Sequence, residues 1–280
     1  MTLKYTLAFA TALALSAAGA EAAGSYGQCK VYGEAGTHSI DPVTDGELTV
    51  QVNLPAVGNF DGDTVETIDT GFEYCIASNI AHRLGLDKVT LKNAAFDAIV
   101  AGQTKDYDIA MAQISVTEPR KKVVDFSEPY QTSDFGVAVK AGSELTATSI
   151  KEGKVGVQAG TTMIQWAQED LKPGSVEVFP DTSSLFTALV AGRVDAVVTS
   201  TPIVLGQVAA SGGRLDIIGQ YESGQITAGV YPKGSAAAAT IDEVIQEMKQ
   251  DGTLKKLEDE FLAAKWGRSP SDVPYWKLQD

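Results

Sequence analysis

The sequence predicts an α/β protein of two similar lobes, each with a central, mostly parallel sheet flanked by helices. The first observation is an internal repeat, because residues 96–102 (FDAIVAG) resemble residues 186–192 (FTALVAG). The second is that an aspartate and a short apolar run, typical of a buried strand, follow each copy at residues 108–112 and 195–198. The same helix, glycine, aspartate and strand therefore occur in both halves of the chain.

The other elements also come in the same order in the two halves. Residues 48–52 predict a strand, and residues 72–84 predict a helix that ends at Gly85. In the second half, residues 154–158 and 162–171 repeat this strand and this helix. Strands that alternate with helices over short loops imply parallel sheets with helices on both faces.

Residues 1–23 predict a secretory signal peptide. Lys4 precedes an apolar run that is too short to span a bilayer comfortably, and residues 20–22 (AEA) form the small-x-small pattern that a signal peptidase recognises. We therefore expect cleavage after Ala22 or Ala23 and a mature protein in the periplasm. An uncleaved membrane anchor is the alternative interpretation.

The composition argues against several classes of partner. The formal net charge of −14 at pH 7 disfavours nucleic acid and anionic membranes, because both require a basic surface. The two cysteines, Cys29 and Cys75, predict a disulfide in an oxidising compartment. His38 and His82 are the only histidines, and no Cys/His cluster of the zinc-binding kind is present in the sequence. We predict neither a metal site nor a cofactor.

Three loops follow predicted strands, at the edge where open α/β sheets bind ligands. In residues 113–120, a turn with Thr117 as its cap projects Arg120. Residues 158–162 offer backbone amides at a helix start, and residues 199–202 are rich in hydroxyl groups. A guanidinium binds a carboxylate through two parallel hydrogen bonds. The sequence therefore predicts a carboxylate-bearing solute held between the two lobes.

Six segments, in order and spacing, resemble the polar-amino-acid branch of the periplasmic solute-binding proteins of ABC transporters, family 3 of the extracellular solute-binding proteins. The resemblance covers residues 46 to about 262 and lies in GFEY (71–74), FDAIV (96–100), SVTEPR (115–120), VVDFSEPY (123–130), VGVQAGTT (155–162) and GRVDA (192–196). It implies a periplasmic-binding-protein-like fold with a hinge between the lobes. The implied limits are 24–139 for the first part of lobe 1, 140–226 for lobe 2, and 227–280 for the return segment and C-terminal helices of lobe 1.

The resemblance also implies a set of ligand-binding residues. Arg120 is similar to the family's carboxylate-binding arginine, Ser115 to its hydroxyl partner, and Thr161 to the second-lobe residue whose amide meets the same carboxylate. Phe96 takes the aromatic position that lines the cleft. The full predicted set is Arg120, Ser115, Thr161, Gln113, Phe96, Ser200 and Asn53.

Two members of this set depart from the family pattern. Ser200 and Asn53 stand where the family has aspartates that bind a ligand's ammonium, and a neutral group pairs with an ammonium less strongly than a carboxylate does. Other carboxylates that would restore the charge are Asp61, Asp63 and Glu73. The solute is therefore open between an amino acid or close derivative, which ranks first, an N-substituted amino acid such as an opine or ectoine-like compound, and a plain carboxylate.

Several of these residues also have purely structural interpretations. Arg120 lies in a basic run, and Ser115 and Thr161 are suited to local capping. Phe96 recurs in the repeat as Phe186, which indicates a core position for both.

Three function classes follow from this sequence. The leading hypothesis is a monomeric receptor that closes on its solute by hinge motion and presents it to an ABC permease in the inner membrane. The others are a periplasmic lyase similar to cyclohexadienyl dehydratase on the same fold, and a ligand-sensing module for a membrane receptor. Because no catalytic triad, metal cluster or marked acid/base pair is evident in the sequence, we expect a binding protein that is not an enzyme.

Overall fold

The computed structural model describes residues 26–62, 64–263 and 266–278. The predicted signal peptide lies outside these residues. Every helix within them is too short or too polar to cross a membrane.

Strands and helices alternate along the described chain. The strands are β1 (Glu47–Val52), β2 (Lys88–Asn93), β3 (Ile109–Ser115), β4 (Val124–Phe126), β5 (Gln131–Lys140), β6 (Lys154–Gln158), β7 (Ser175–Phe179), β8 (Ala196–Ser200) and β9 (Leu215–Pro232). The α-helices are α1 (Phe72–Arg83), α2 (Phe96–Val100), α3 (Glu118–Lys121), α4 (Met163–Trp166), α5 (Thr182–Val190), α6 (Thr201–Ala210), α7 (Ala238–Gln250) and α8 (Thr253–Glu258). Short π turns at Ala167–Leu171 and Asp259–Ala263 extend α4 and α8.

One sheet runs through the described chain in the order β2-β1-β3-β9-β5-β8-β6-β7, and β4 also pairs with β9. β1 lies parallel to β2 and β3 in one half, and β6 lies parallel to β7 and β8 in the other. The antiparallel strands β5 and β9 join these two parallel groups. The predicted α/β class with two similar halves is confirmed.

β5 changes neighbours along its length. Gln131 pairs with Thr227 of β9, which pairs in turn with Ser115 of β3. Four residues further on, Phe135 pairs with Ser200 of β8, in the second group. The predicted lobe limits at 139/140 and 226/227 fall within β5 and β9, and they stay a prediction.

The repeat seen in the sequence has the same structure in both copies. Gly102 and Gly192 follow α2 and α5 with φ of 66° and 72°, the left-handed region in which glycine is favoured. The aspartate after each glycine then accepts a hydrogen bond from a backbone amide of the neighbouring strand: Asp108 from Thr49 at 2.7 Å, and Asp195 from Lys154 at 2.7 Å.

The predicted disulfide between Cys29 and Cys75 is present, with a Cα–Cα distance of 5.3 Å. It ties the N-terminal arm to α1, whose residues are almost all buried. The arm is also held by the Tyr26 hydroxyl, which donates to the Leu86 carbonyl at 2.6 Å. The N-terminal arm is therefore fixed to α1 and to the loop that follows it.

A candidate ligand-binding cleft

A narrow cavity of about 40 Å³ lies between the two halves of the sheet, where the carboxyl ends of β1, β3, β6 and β8 meet. This is the edge at which open α/β sheets bind ligands. The seven residues predicted to bind ligand all line this cavity: Asn53, Phe96, Gln113, Ser115, Arg120, Thr161 and Ser200.

Arg120 is positioned by the short helix α3. Thr117 caps this helix, because its hydroxyl oxygen accepts from the Arg120 amide at 3.4 Å. The guanidinium is buried: Nη1 donates to the Ser115 carbonyl at 2.7 Å, and Nη2 donates to the Gly160 carbonyl at 2.8 Å. The side chain thus connects β3 of the first group with the loop after β6 of the second.

The charge of Arg120 is not balanced within the described chain. No carboxylate of the described residues forms an ion pair with the guanidinium. Burial lowers the pKa of Arg120 to about 10, so the side chain stays charged at neutral pH. Its Cζ atom lies over the Phe96 ring, 5.5 Å from the ring centre, a cation–π contact. Phe96 therefore serves both the cavity wall and a buried apolar cluster.

Thr161 belongs to the turn between β6 and α4. Its hydroxyl donates to the Gln158 carbonyl at 2.7 Å, and its amide donates to the same carbonyl at 3.3 Å. Both groups therefore also make local turn contacts. The next residue, Thr162, donates through its hydroxyl to the Gln225 side chain of β9 at 3.1 Å.

Two pairs of side chains connect the strand ends across the cavity. The Ser200 hydroxyl donates to Gln113 Oε1 at 2.9 Å, and Gln158 Nε2 donates to Asn53 Oδ1 at 3.2 Å. Gln158 Oε1 in turn accepts from the Thr182 hydroxyl at 2.9 Å. Ser200 and Asn53, the two positions expected to depart from the family pattern, thus make contacts between the two groups of strands, as Arg120 does.

Glu73 lies directly behind Gln113, outside the cavity wall. Its Oε1 accepts from the Gln113 amide at 2.8 Å and from the Tyr130 hydroxyl, and Oε2 has no hydrogen-bond partner among the described residues. Gln113 itself has a φ of 51°, which is uncommon for a residue other than glycine, and its side chain accepts from Ser200. Burial raises the pKa of Glu73 to about 7, against the opposing effect of its two hydrogen bonds.

Residues 65–264 match the sequence-family model of the bacterial extracellular solute-binding proteins, family 3. The chain belongs to this family. This is the family that the sequence resemblance implied.

The L-cystine-binding protein TcyJ of Escherichia coli (strain K12) is 31% identical over 211 residues, which are 74% of this chain and 78% of TcyJ. The solved structure of an ancestral arginine-binding protein bound to glutamine has a TM-score of 0.69 and 33% identity, over 78% of this chain and 98% of that one. The ancestral amino acid-binding protein AncCDT-1, a precursor of cyclohexadienyl dehydratase, has a TM-score of 0.67 and 28% identity, over 78% and 96%.

Within the family fold, the cavity also contains residues that the sequence did not single out as ligand contacts. They are Ala112, Gln158, Thr162, Met163, Thr182, Thr199 and Ile203. Gln158 and Thr162 lie in the loop whose backbone amides the sequence predicts to face the ligand. Both residues also line the cavity, which the sequence does not predict. The loop after β1 adds Pro55, Ala56 and Val57 to the wall.

The carboxylates proposed as substitutes for the missing aspartates do not line the cavity where the structure describes them. Glu73 is sealed behind Gln113, and Asp61 accepts from the Gly58 amide at 2.6 Å. Asp63 lies outside the described residues.

Proposed function

We propose that the protein is the solute-binding receptor of an ABC importer and that it captures a small carboxylate-bearing solute, an amino acid or an amino-acid derivative. The observation that carries this proposal is Arg120, a buried guanidinium that faces the cavity with no carboxylate partner among the described residues. Membership of the solute-binding family and the amino-acid-binding names of the relatives support the same function.

The energetics of Arg120 favour an anionic ligand. A buried charge is costly unless it is paired, and the two carbonyls that accept from Arg120 supply only part of this compensation. A ligand carboxylate forms stronger, charge-assisted hydrogen bonds with a guanidinium. We therefore propose that Arg120 binds the ligand carboxylate and that Ser115 and Thr161 contact the same group. Gln113, Phe96, Ser200 and Asn53 surround the rest of the ligand.

We propose that the cleft opens and closes by bending of β5 and β9, the two strands that join the parallel groups. In this proposal residues 24–139 and 227–280 form one lobe and residues 140–226 form the other. The closed form is presented to the permease by a monomeric protein in the periplasm, after removal of residues 1–23. The family description, which is of extracellular proteins, supports this location.

The experiment is a ligand screen by thermal shift on the purified protein without residues 1–23. A ligand at a hundredfold excess over its dissociation constant stabilises the folded state by about 2.7 kcal/mol. The panel contains amino acids, opines, betaines and organic acids, and each hit is recovered and tested for chemical change. We expect a binding protein that returns its ligand unchanged. Turnover of the hit would instead establish the lyase.

The matched variants are Arg120→Ala and Lys121→Ala. Arg120→Ala removes the buried guanidinium, and we expect it to abolish the shift by any carboxylate ligand. Lys121 is the next residue of α3, but its exposed side chain is paired with Glu118 at 2.7 Å, so Lys121→Ala keeps the shift. An Arg120→Ala protein that binds the ligand with unchanged affinity would remove the anchor from this proposal.

A further inference from the structure

The charge around the cavity is one-sided. Of the described residues that line it, Arg120 is the one that is ionised, and the others are neutral polar or apolar. One ligand carboxylate neutralises the single positive charge of the guanidinium. A positive group elsewhere on the same ligand would meet no anion on this wall to balance it.

Three carboxyl groups adjoin the wall without lining it. Glu73 is fully buried and turns its Oε1 to Gln113 and Tyr130. Asp61 accepts from the Gly58 amide in the loop after β1. Asp97 follows the wall residue Phe96, but its side chain is exposed and accepts from the Ala98 amide at 2.9 Å.

The amide oxygens of the wall already accept hydrogen bonds from the protein. Gln113 Oε1 accepts from Ser200, Asn53 Oδ1 from Gln158, and Gln158 Oε1 from Thr182. The carbonyls of two further wall segments accept from the guanidinium of Arg120. An ammonium has three hydrogens to donate and accepts none, so on this wall it would share neutral oxygens that already accept from the protein, with no carboxylate to pair its charge.

We propose that the cleft selects a carboxylate whose remaining groups are uncharged, such as an N-acylated amino acid, a 2-hydroxy acid or a 2-oxo acid, over the corresponding zwitterionic α-amino acid. This inference rests on the proposed function, because it requires that Arg120 binds the ligand carboxylate. A neutral amide, carbonyl or hydroxyl loses much less hydration on entering the cavity than an ammonium does, and it does not repel the guanidinium.

The experiment measures dissociation constants by titration calorimetry, on the chain without residues 1–23, for matched sets of compounds. Each set contains one α-amino acid, its N-acetyl derivative and its 2-hydroxy and 2-oxo analogues, so that the side chain and carboxylate stay the same and only the charge at the α position changes. The sets cover small, aliphatic, aromatic and amide side chains. In the set that binds, we expect the tightest of the three uncharged analogues to have a dissociation constant at least about tenfold lower than that of the α-amino acid.

Ser200→Asp is the first variant, because it places a carboxylate beside Gln113 at the cavity wall. We expect it to move the preference toward the amino acid by about tenfold or more. Asn53→Asp tests the same point from the loop after β1 if Ser200→Asp does not fold. Ser143→Asp is the matched control, since it adds the same charge on an exposed turn after β5 and leaves the preference as in the wild type.

The outcomes separate the two proposals. An amino acid that binds as tightly as its uncharged analogues, with binding that Arg120→Ala abolishes, overturns this inference and leaves the proposed function standing. A preference that Ser200→Asp and Ser143→Asp change equally also overturns it. Carboxylate binding that survives in Arg120→Ala means that the proposed function fails, and this inference fails with it.

Discussion

Glu73 and Arg120 are ionisable side chains of opposite sign that are both removed from water, on opposite sides of the cavity wall. Burial lowers the pKa of Arg120 to about 10 and raises the pKa of Glu73 to about 7. The ordinary pKa of a guanidinium is so far above neutral pH that Arg120 stays charged despite this decrease. The carboxyl group instead changes its protonation within the range in which the protein is handled, and it does so behind Gln113, a residue of the cavity wall.

We expect this carboxyl group to make stability depend on pH. The folded state raises the pKa of Glu73 from its ordinary 4.5 to about 7, so the folded protein holds a proton that the unfolded chain releases. The contribution of this group to the unfolding free energy is therefore fully present below about pH 4.5 and is lost as the pH rises through about 7. The loss is about 3 kcal/mol. Urea unfolding at pH 5 and pH 8 measures it.

Glu73→Gln tests the assignment of this pH dependence. The amide keeps an oxygen for the Gln113 amide and the Tyr130 hydroxyl but has no charge to bury, so we expect a flatter profile between pH 5 and pH 8. Glu118→Gln makes the same change on an exposed side chain of α3 and leaves the profile as in the wild type. A wild-type slope retained in Glu73→Gln would assign the effect to another group.

At the scale of elements, the two copies of the repeat fix neighbouring strands in the same way. Asp108 precedes β3, and its carboxylate accepts from the amides of Thr49 and Val43, at 2.7 and 2.9 Å. Asp195 precedes β8 and accepts from the Lys154 amide. The first carboxylate is buried and the second is exposed. The two sites thus share a pattern and differ in access to water.

This difference predicts unequal costs for the same substitution. Asp108→Asn turns one acceptor oxygen into a donor in a buried site, which costs about 1 to 3 kcal/mol of unfolding free energy. Water can replace the bond lost in Asp195→Asn, so that cost is below about 1 kcal/mol. Urea unfolding of the two variants gives the comparison directly. Equal losses would mean that burial does not set the value of this contact.

The disulfide links two elements, the N-terminal arm and α1. It closes a loop with a sequence separation of 46, for which the chain-entropy model gives about 4 kcal/mol of stabilisation. We expect the double variant Cys29→Ala/Cys75→Ala to unfold at lower temperature and still bind ligand, because neither cysteine lines the cavity. Thiol labelling of the untreated native protein would contradict the disulfide, and loss of binding in the folded variant would contradict its purely structural role.

Elements with a local signature were predictable from the sequence. The helix predicted at 72–84 is Phe72–Arg83, and the strand predicted at 154–158 is Lys154–Gln158. The β5–β9 pairing was not predictable in register, since Gln131 and Thr227 come together only through the tertiary fold. The same reason applies to the site. Arg120 was visible in a motif, whereas Thr182 is brought to the cavity wall, beside Gln158, only by the tertiary fold.

At the scale of the whole molecule, β5 and β9 are the strands through which the two parallel groups are joined. Across the cavity, the groups are held by hydrogen bonds that involve Arg120, Ser200 and Gln158. Each of these contacts is polar, so water competes for it in the proposed opening of the cleft. In the same proposal, a ligand that adds bonds to both groups shifts the population toward the closed form by its differential affinity for that form.

The corresponding prediction concerns the size of the molecule in solution. A compact chain of this length without residues 1–23 has a radius of gyration of about 18 Å, and an open cleft increases it. We expect small-angle X-ray scattering to give a smaller radius of gyration with a saturating ligand than without it. The ligand-free Gln158→Ala variant, which loses the contact to Asn53, should be shifted further toward the open form. Arg120→Ala should show no contraction at the same ligand concentration. A radius that is unchanged when the wild type is saturated would mean that binding occurs without closure. The proposed receptor would then have to signal occupancy to the proposed permease by another route.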